Sequence, residues 1–232
     1  MLVSPLAPPR APVSPLARPR ARFDTVRALF AFGVLITGAA LAYPGGTWSE
    51  RARPGFSFWQ NFWCDLLSTR ALDGRSNLLG ASLSRAAFAC FALALFQFWP
   101  LVAARANPER PSRVAQRLGR VGALSLLAVA VVPAATSQLG HGIAVVGSTV
   151  AALLAVSVLL PGLVRRREHG AALLGVATLA VSVLCLAQYV YQGCFGGDVG
   201  AWLAGLQKIA TALLLAFMVQ VLMRARVAAR TQ

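Results

Sequence analysis

The chain alternates between long apolar runs and shorter polar connections. The runs cover residues 28–43, 78–101, 121–138, 141–164, 170–192 and 199–223. Crossing a ~30 Å hydrocarbon core takes about 20 helical residues at ~1.5 Å each, so all six are expected to be transmembrane helices. The first is slightly short, and Arg27 can snorkel to lengthen it. The third and fourth are separated only around Leu139 and Gly140, which predicts a tight helical hairpin. The expected fold class is all-α: a polytopic membrane bundle of six transmembrane helices plus a short outer amphipathic helix.

That extra helix is expected in residues 54–77, PGFSFWQNFWCDLLSTRALDGRSN, the one long connection that is not simply basic. Wound as a helix over 58–68, it places Phe58, Trp59, Phe62, Trp63, Leu66 and Leu67 on one face. Gln60, Asn61, Cys64, Asp65 and Ser68 fall on the other. Ser57 and Gln60 have capping-box spacing, Asp73–Gly74 predicts a turn, and Asn77 can cap the helix that follows. At roughly 17 Å this helix is too short to span a bilayer, so it should lie in the membrane surface or dip in and return.

Composition sharpens the class. With 57% hydrophobic and 12% charged residues and a mean hydropathy of +0.65, the chain is no ordinary soluble domain. The net charge of +15 does not mark a nucleic-acid partner, because the arginines sit in connections between apolar runs. Sixteen of the 22 basic residues fall before residue 28, in 102–120, in 165–167 and after residue 223, all on one side of the predicted bundle. Only Arg51, Arg53, Arg70 and Arg75 fall on the other side, while Arg85 and Lys208 lie inside apolar runs. The positive-inside rule then predicts a multi-pass cell-membrane protein with both termini cytoplasmic and residues 54–77 outside. Tyr43, Trp48, Trp59, Trp63, Tyr189, Tyr191 and Trp202 gather near the predicted outer boundary, and only Trp99 near the inner one.

Residues 1–22 contain a duplication, VSPLAPPRAP then VSPLARPRAR. Its proline density predicts a disordered basic tail. The expected organisation is therefore a cytoplasmic tail over 1–26, a six-helix membrane domain over 27–223, and a cytoplasmic C-terminal tail over 224–232.

Lys208 is the sharpest candidate for chemistry. It lies nine residues into the last run, ~13 Å deep by helical rise, where an unpaired charge costs at least ~2.5–3.5 kcal/mol. An ion, substrate or proton site and a structural pair both account for it. Arg85 is either buried in the second run or a boundary residue. Other polar groups gather at the same outer depth: Ser182, Cys185, Tyr189 and Gln192 along one stripe of the fifth run, His141 at the hairpin, and Asn61 and Asp65 in the outer element. A polar cavity open to the outside and roofed by the aromatic helix explains this gathering, and so does the plain preference of polar side chains for a water interface. The cavity's candidate ligand-binding residues are Asn61, Asp65, His141, Gln188, Gln192 and Lys208.

Metal chemistry is not expected. Asp65, Ser68 and His141 suggest a membrane hydrolase, but a catalytic zinc usually takes three protein ligands. The chain has two histidines, and His169 belongs at the opposite membrane face. Ser68, His141 and Asp65 lack a nucleophile elbow, and there is no phosphate loop, dinucleotide fingerprint or haem-ligand pair. No cofactor and no catalytic residue is assigned. Cys64 and Cys194 both fall in predicted outer connections, where one disulfide can form if that side is oxidising.

The strings YPGG (43–46), GFSFWQNFWCDL (55–66) and ALDGRSN (71–77) resemble an uncharacterised family of bacterial integral-membrane proteins, the one catalogued as domain of unknown function 998. The hairpin beginning at His141–Gly142 is similar to its later part and to DRAM/Sfk-type six-helix membrane proteins. The resemblance implies a six-helix membrane protein and supplies no catalytic residue.

The leading functional expectation is a small-molecule or lipid binding or transport protein with an outward-facing polar cavity. A membrane enzyme acting on lipid at the outer leaflet and a structural membrane component without ligand are the alternatives. Membrane lipids are the expected partners, with a small-molecule ligand as the second candidate and no nucleic acid.

Overall fold

The computed structural model describes residues 17–106, 110–195 and 201–230, with side chains for 24–104, 111–195 and 202–224. Six long helices form α1 (Ala17–Ala42), α2 (Leu78–Ala106), α3 (Arg110–Val131), α4 (Gln138–Arg165), α5 (His169–Phe195) and α6 (Ala201–Arg230). Each contains a segment long and apolar enough to cross a membrane. Among the described residues there is no strand, only the isolated bridges Gly45–Pro54 and Arg70–Ser76. The all-helical, six-span class expected from the hydropathy pattern is what the chain adopts.

Consecutive helices pack side by side, and small residues set their spacing. On α1 and α2, Phe32 stacks on Phe91 with centroids 4.6 Å apart, and Gly38 faces Leu83. A β-carbon on Gly119 of α3 would collide with the Trp99 indole of α2, so glycine is what admits that ring. Gly122 of α3 and Gly147 of α4 bring those two helices together over Ala151 and Ser125. Close approach at small residues is how helices associate where lipid removes the hydrophobic drive. Phe98 of α2 meets Phe217 of α6 edge-on at 5.7 Å, which draws the last helix back onto the second.

Several boundaries differ from expectation. Helix α1 begins at Ala17, so residues 17–26 of the predicted disordered tail are helical. Pro19 sits in the first turn, where its missing N–H is not needed. Residues 1–16 lie outside the described residues. Helix α6 likewise runs on to Arg230 through most of the predicted C-terminal tail, a stretch of good helix formers. Helix α3 occupies Arg110–Val131 rather than 121–138. Pro133 biases Val132 away from helix, and Ser137 then caps α4, its hydroxyl accepting from Gly140 N at 3.1 Å. The turn of this hairpin is therefore 132–137, not Leu139–Gly140.

The expected amphipathic helix over 58–68 is also absent. Residues 43–77 form one compact connector whose only helix is the five-residue 3₁₀ helix Trp63–Leu67. The reason is local: Asn61 Oδ1 accepts from Ser57 N at 2.8 Å, and Asp65 Oδ2 accepts from Phe62 N at 2.8 Å. Side chains that claim nearby backbone groups offer the chain an alternative to helix. The Asp73–Gly74 turn is present, with Gly74 at φ 86° and its N–H on Ala71 O at 2.9 Å. Gly46, at φ 87°, lets two strips of the connector touch, since a β-carbon there would collide with the backbone at Leu72 and Asp73.

Candidate functional site

The connector does not rest on top of the bundle. It descends between α2 and α6 and returns. Both helices start at the connector end, and each carries an adjacent polar pair six and seven residues from its start: Ser84–Arg85 on α2 and Gln207–Lys208 on α6. That is a depth of ~9–10 Å at ~1.5 Å per residue. All four side chains bond connector backbone. Ser84 Oγ donates to Leu66 O at 2.9 Å, and Arg85 NH2 to Leu67 O at 3.3 Å. Gln207 Oε1 accepts from Trp63 N at 3.0 Å, and Lys208 Nζ donates to Asn61 O. Non-helical backbone at membrane depth survives only where its polar groups are satisfied, and these four residues do that here.

Lys208 is 3% exposed. Besides Asn61 O it donates to Ala204 O at 3.2 Å, and three rings surround it: Trp63 at 5.0 Å and Phe56 and Phe58 at 5.4 Å from Nζ. Among the described residues no carboxylate lies within 4.0 Å of it. Aromatic faces attract a desolvated cation by about 2 kcal/mol or more, and the Asp65 carboxylate, beyond ion-pair distance, attracts it as well.

Asn61 ties this seat to the rest of the connector. It is fully buried. Its Nδ2 donates to Gly46 O at 2.8 Å and to Asp65 Oδ2 at 3.2 Å, while Oδ1 holds Ser57 N. Asp65 accepts additionally from Trp48 Nε1 at 3.2 Å. Burial pushes the Asp65 carboxyl above its usual range, against the opposing pull of the donors from Asn61, Phe62 and Trp48. Burial, with Asp65 beside it, also pushes the neighbouring Cys64 thiol up to about 12. Asn77, expected as a helix cap, instead turns its amide into the connector, donating to Ser68 O at 2.8 Å and Leu66 O at 3.3 Å.

The six residues expected to line a cavity thus divide. Asn61, Asp65 and Lys208 come together in a buried hydrogen-bonded network. His141 is at the same end of the bundle but is engaged elsewhere: its Nδ1 bonds Val132 O at 2.8 Å, which locks the α3–α4 hairpin. Gln188 and Gln192 are half-buried on the last turns of α5. The Ser68–His141–Asp65 constellation is not assembled by these contacts, and no group of three metal-ligating side chains occurs among the described residues. Cys64 and Cys194 are not bonded to each other. Arg85 lies well inside α2 and is exposed on its side, so it is a lateral residue below the helix start.

Beside the seat, between connector and α6, lies an open groove of about 420 Å³ lined by Trp59, Gln60, Trp202, Gly205, Leu206 and Ile209. Trp59 and Trp202 are 60% and 52% exposed. Gln60, at its polar end, accepts from Arg53 NH1 at 2.8 Å. Gly205 lets the Trp59 ring lie directly against α6, since a β-carbon there would lie 2.8 Å from that ring. None of the six expected residues lines this groove. Ser84 and Gln207 were missed as well, although the adjacent polar pairs at matched depth in two apolar helices were visible in the sequence.

Comparison with known protein families, curated proteins and solved structures finds no match to this chain.

Proposed function

We propose that this membrane protein binds an amphiphile, a lipid or a small molecule with one polar end, in the groove between its connector and α6. The observation that carries the reading is the lining itself: Trp202, Leu206 and Ile209 give an apolar wall along α6, while Trp59 and Gln60 close one end with a ring and an amide. The volume falls within the ~300–1,000 Å³ usual for small-molecule sites. The arginine distribution supports a connector end facing away from the cytoplasm, with the groove drawing on that leaflet. On this reading Asn61, Asp65 and Lys208 hold the connector wall of the groove in place rather than contact the ligand.

A photoactivatable phospholipid analogue, with its reactive group high on the acyl chain, tests this. It is expected to label peptides containing Trp59 or Leu206 in the native protein. Gly205→Leu, which drives a side chain into the Trp59 ring and displaces the groove's connector wall, is expected to lower that labelling about tenfold, roughly the loss of one well-packed side-chain contact. Labelling that survives in a correctly folded Gly205→Leu protein would assign the chain instead to a structural role without ligand.

A further inference from the structure

Two cations stand at the same depth in this bundle, and only one is provided for. Lys208 turns inward to Asn61 O and three rings. Arg85 turns outward. It belongs to the exposed stripe of α2 that includes Leu78, Leu79, Ser82, Leu93 and Phe96, the face left for lipid. Its level is fixed by α1: Gly38 faces Leu83, and Phe32 stacks on Phe91. Arg85 therefore stands beside the interior of the α1 apolar run, not beyond its end.

The guanidinium donates one hydrogen bond, to Leu67 O at 3.3 Å. No carboxylate among the described residues lies within 4.0 Å of it. The described acids of the connector are committed elsewhere: Glu50 to Arg53 at 3.9 Å, Asp73 to Arg75 at 2.6 Å, and Asp65 to Trp48, Asn61 and Phe62 N. Asp198 lies outside the described residues. A lipid-facing arginine is costly at this depth unless it reaches upward to an acceptor. The acceptor a bilayer offers at that height is the phosphate of a phospholipid, and the arginine fork matches two of its oxygens.

We propose that Arg85 binds the phosphate of one phospholipid in the leaflet on the connector side, a site separate from the groove. The Leu67 carbonyl fixes one edge of the guanidinium and leaves the other edge for the lipid.

The test uses the full chain in phosphatidylcholine nanodiscs doped with phosphatidylglycerol, with bound lipid counted by native mass spectrometry after release. The native protein is expected to retain one phospholipid of either headgroup, and Arg85→Gln to lower its occupancy constant about tenfold, which is about 1.4 kcal/mol. Arg85→Lys keeps the charge but loses the fork that engages two phosphate oxygens, and is expected to fall between the native protein and Arg85→Gln. Unchanged retention in Arg85→Gln, or a folded Arg85→Lys protein that retains less lipid than Arg85→Gln, overturns the proposal. Asp198→Asn is expected to leave retention unchanged, and a rise would show that Asp198 occupies the arginine instead. If inorganic phosphate stabilises the delipidated protein through Arg85 while no lipid is retained, the site belongs to free phosphate and the lipid assignment falls.

Discussion

Asn61→Ala should unseat the connector. The substitution removes the acceptor of Ser57 N, the donor to Gly46 O and one of the three donors to Asp65. Two of these leave backbone groups unpaired, one buried and one partly buried, each worth about 1–3 kcal/mol, and the third weakens a hydrogen bond to a charged group. Taking the low end of each gives about 3 kcal/mol against the seated state, or about a hundredfold in the opening equilibrium. Cys64 is the reporter. Seated, its thiol is pushed up from 9.0 to about 12 and reacts slowly near neutral pH. Unseated, it regains an ordinary thiol. In a Cys90→Ala, Cys185→Ala, Cys194→Ala background, the rate of maleimide labelling at Cys64 should rise about a hundredfold on Asn61→Ala, with helical circular dichroism unchanged. A rise under about threefold, worth less than ~1 kcal/mol, would refute the role given to Asn61.

Lys208→Met strips Asn61 O of its donor and three rings of their cation, but also removes a buried charge. These terms oppose at about 2–3 kcal/mol each, so Cys64 labelling should rise less than for Asn61→Ala. An equal or larger rise would mean that the ammonium is held more strongly than its contacts imply. For Asp65 the folded carboxyl titrates above its unfolded value. The folded state therefore takes up the proton first as pH falls, so its contribution is greatest below about pH 4 and is lost as pH rises through the folded value. Melting temperature followed against pH should show this fall in the native protein, and the slope should shrink in Asp65→Asn. Gly119→Ala drives a methyl into the space held by the Trp99 indole. It should destabilise the α2–α3 contact by about 1–3 kcal/mol in a thermal melt, and an unchanged melt would mean the two helices have room to part.

Much of the fold was legible because a bilayer leaves the chain few choices. Six apolar runs could be nothing but helices, and they are. What the pattern misjudged were places where a polar side chain competes with the backbone. Phe58, Phe62 and Leu66 have helical spacing, yet Asn61 and Asp65 sit between them and take Ser57 N and Phe62 N for themselves. Hydrophobic periodicity is blind to that competition. Helix α3 was misplaced because Arg113, Arg117 and Arg120 mark a boundary in hydropathy but are carried on a helix, the last of them over the Phe96 ring at 4.8 Å. The site was half legible: a buried Lys208 had to meet something, but its acceptor is a main-chain oxygen, which a search for an acidic partner does not find.

The usual reading of a lysine inside a membrane span is functional, and the connector explains why architecture accounts for this one. A chain that enters the bundle without helix exposes peptide groups that neither lipid nor neighbouring backbone satisfies. Here Asn61 O, Leu66 O, Leu67 O and Trp63 N meet Lys208, Ser84, Arg85 and Gln207, all supplied from one level of two helices. A neutral amide could serve Asn61 O as well as an ammonium does. The choice of lysine follows from Phe56, Phe58 and Trp63, whose faces reward a cation and do not reward an amide. Those rings belong to the connector, so the charge grips side chains as well as main chain, and it holds the wall of the groove that Trp59 completes.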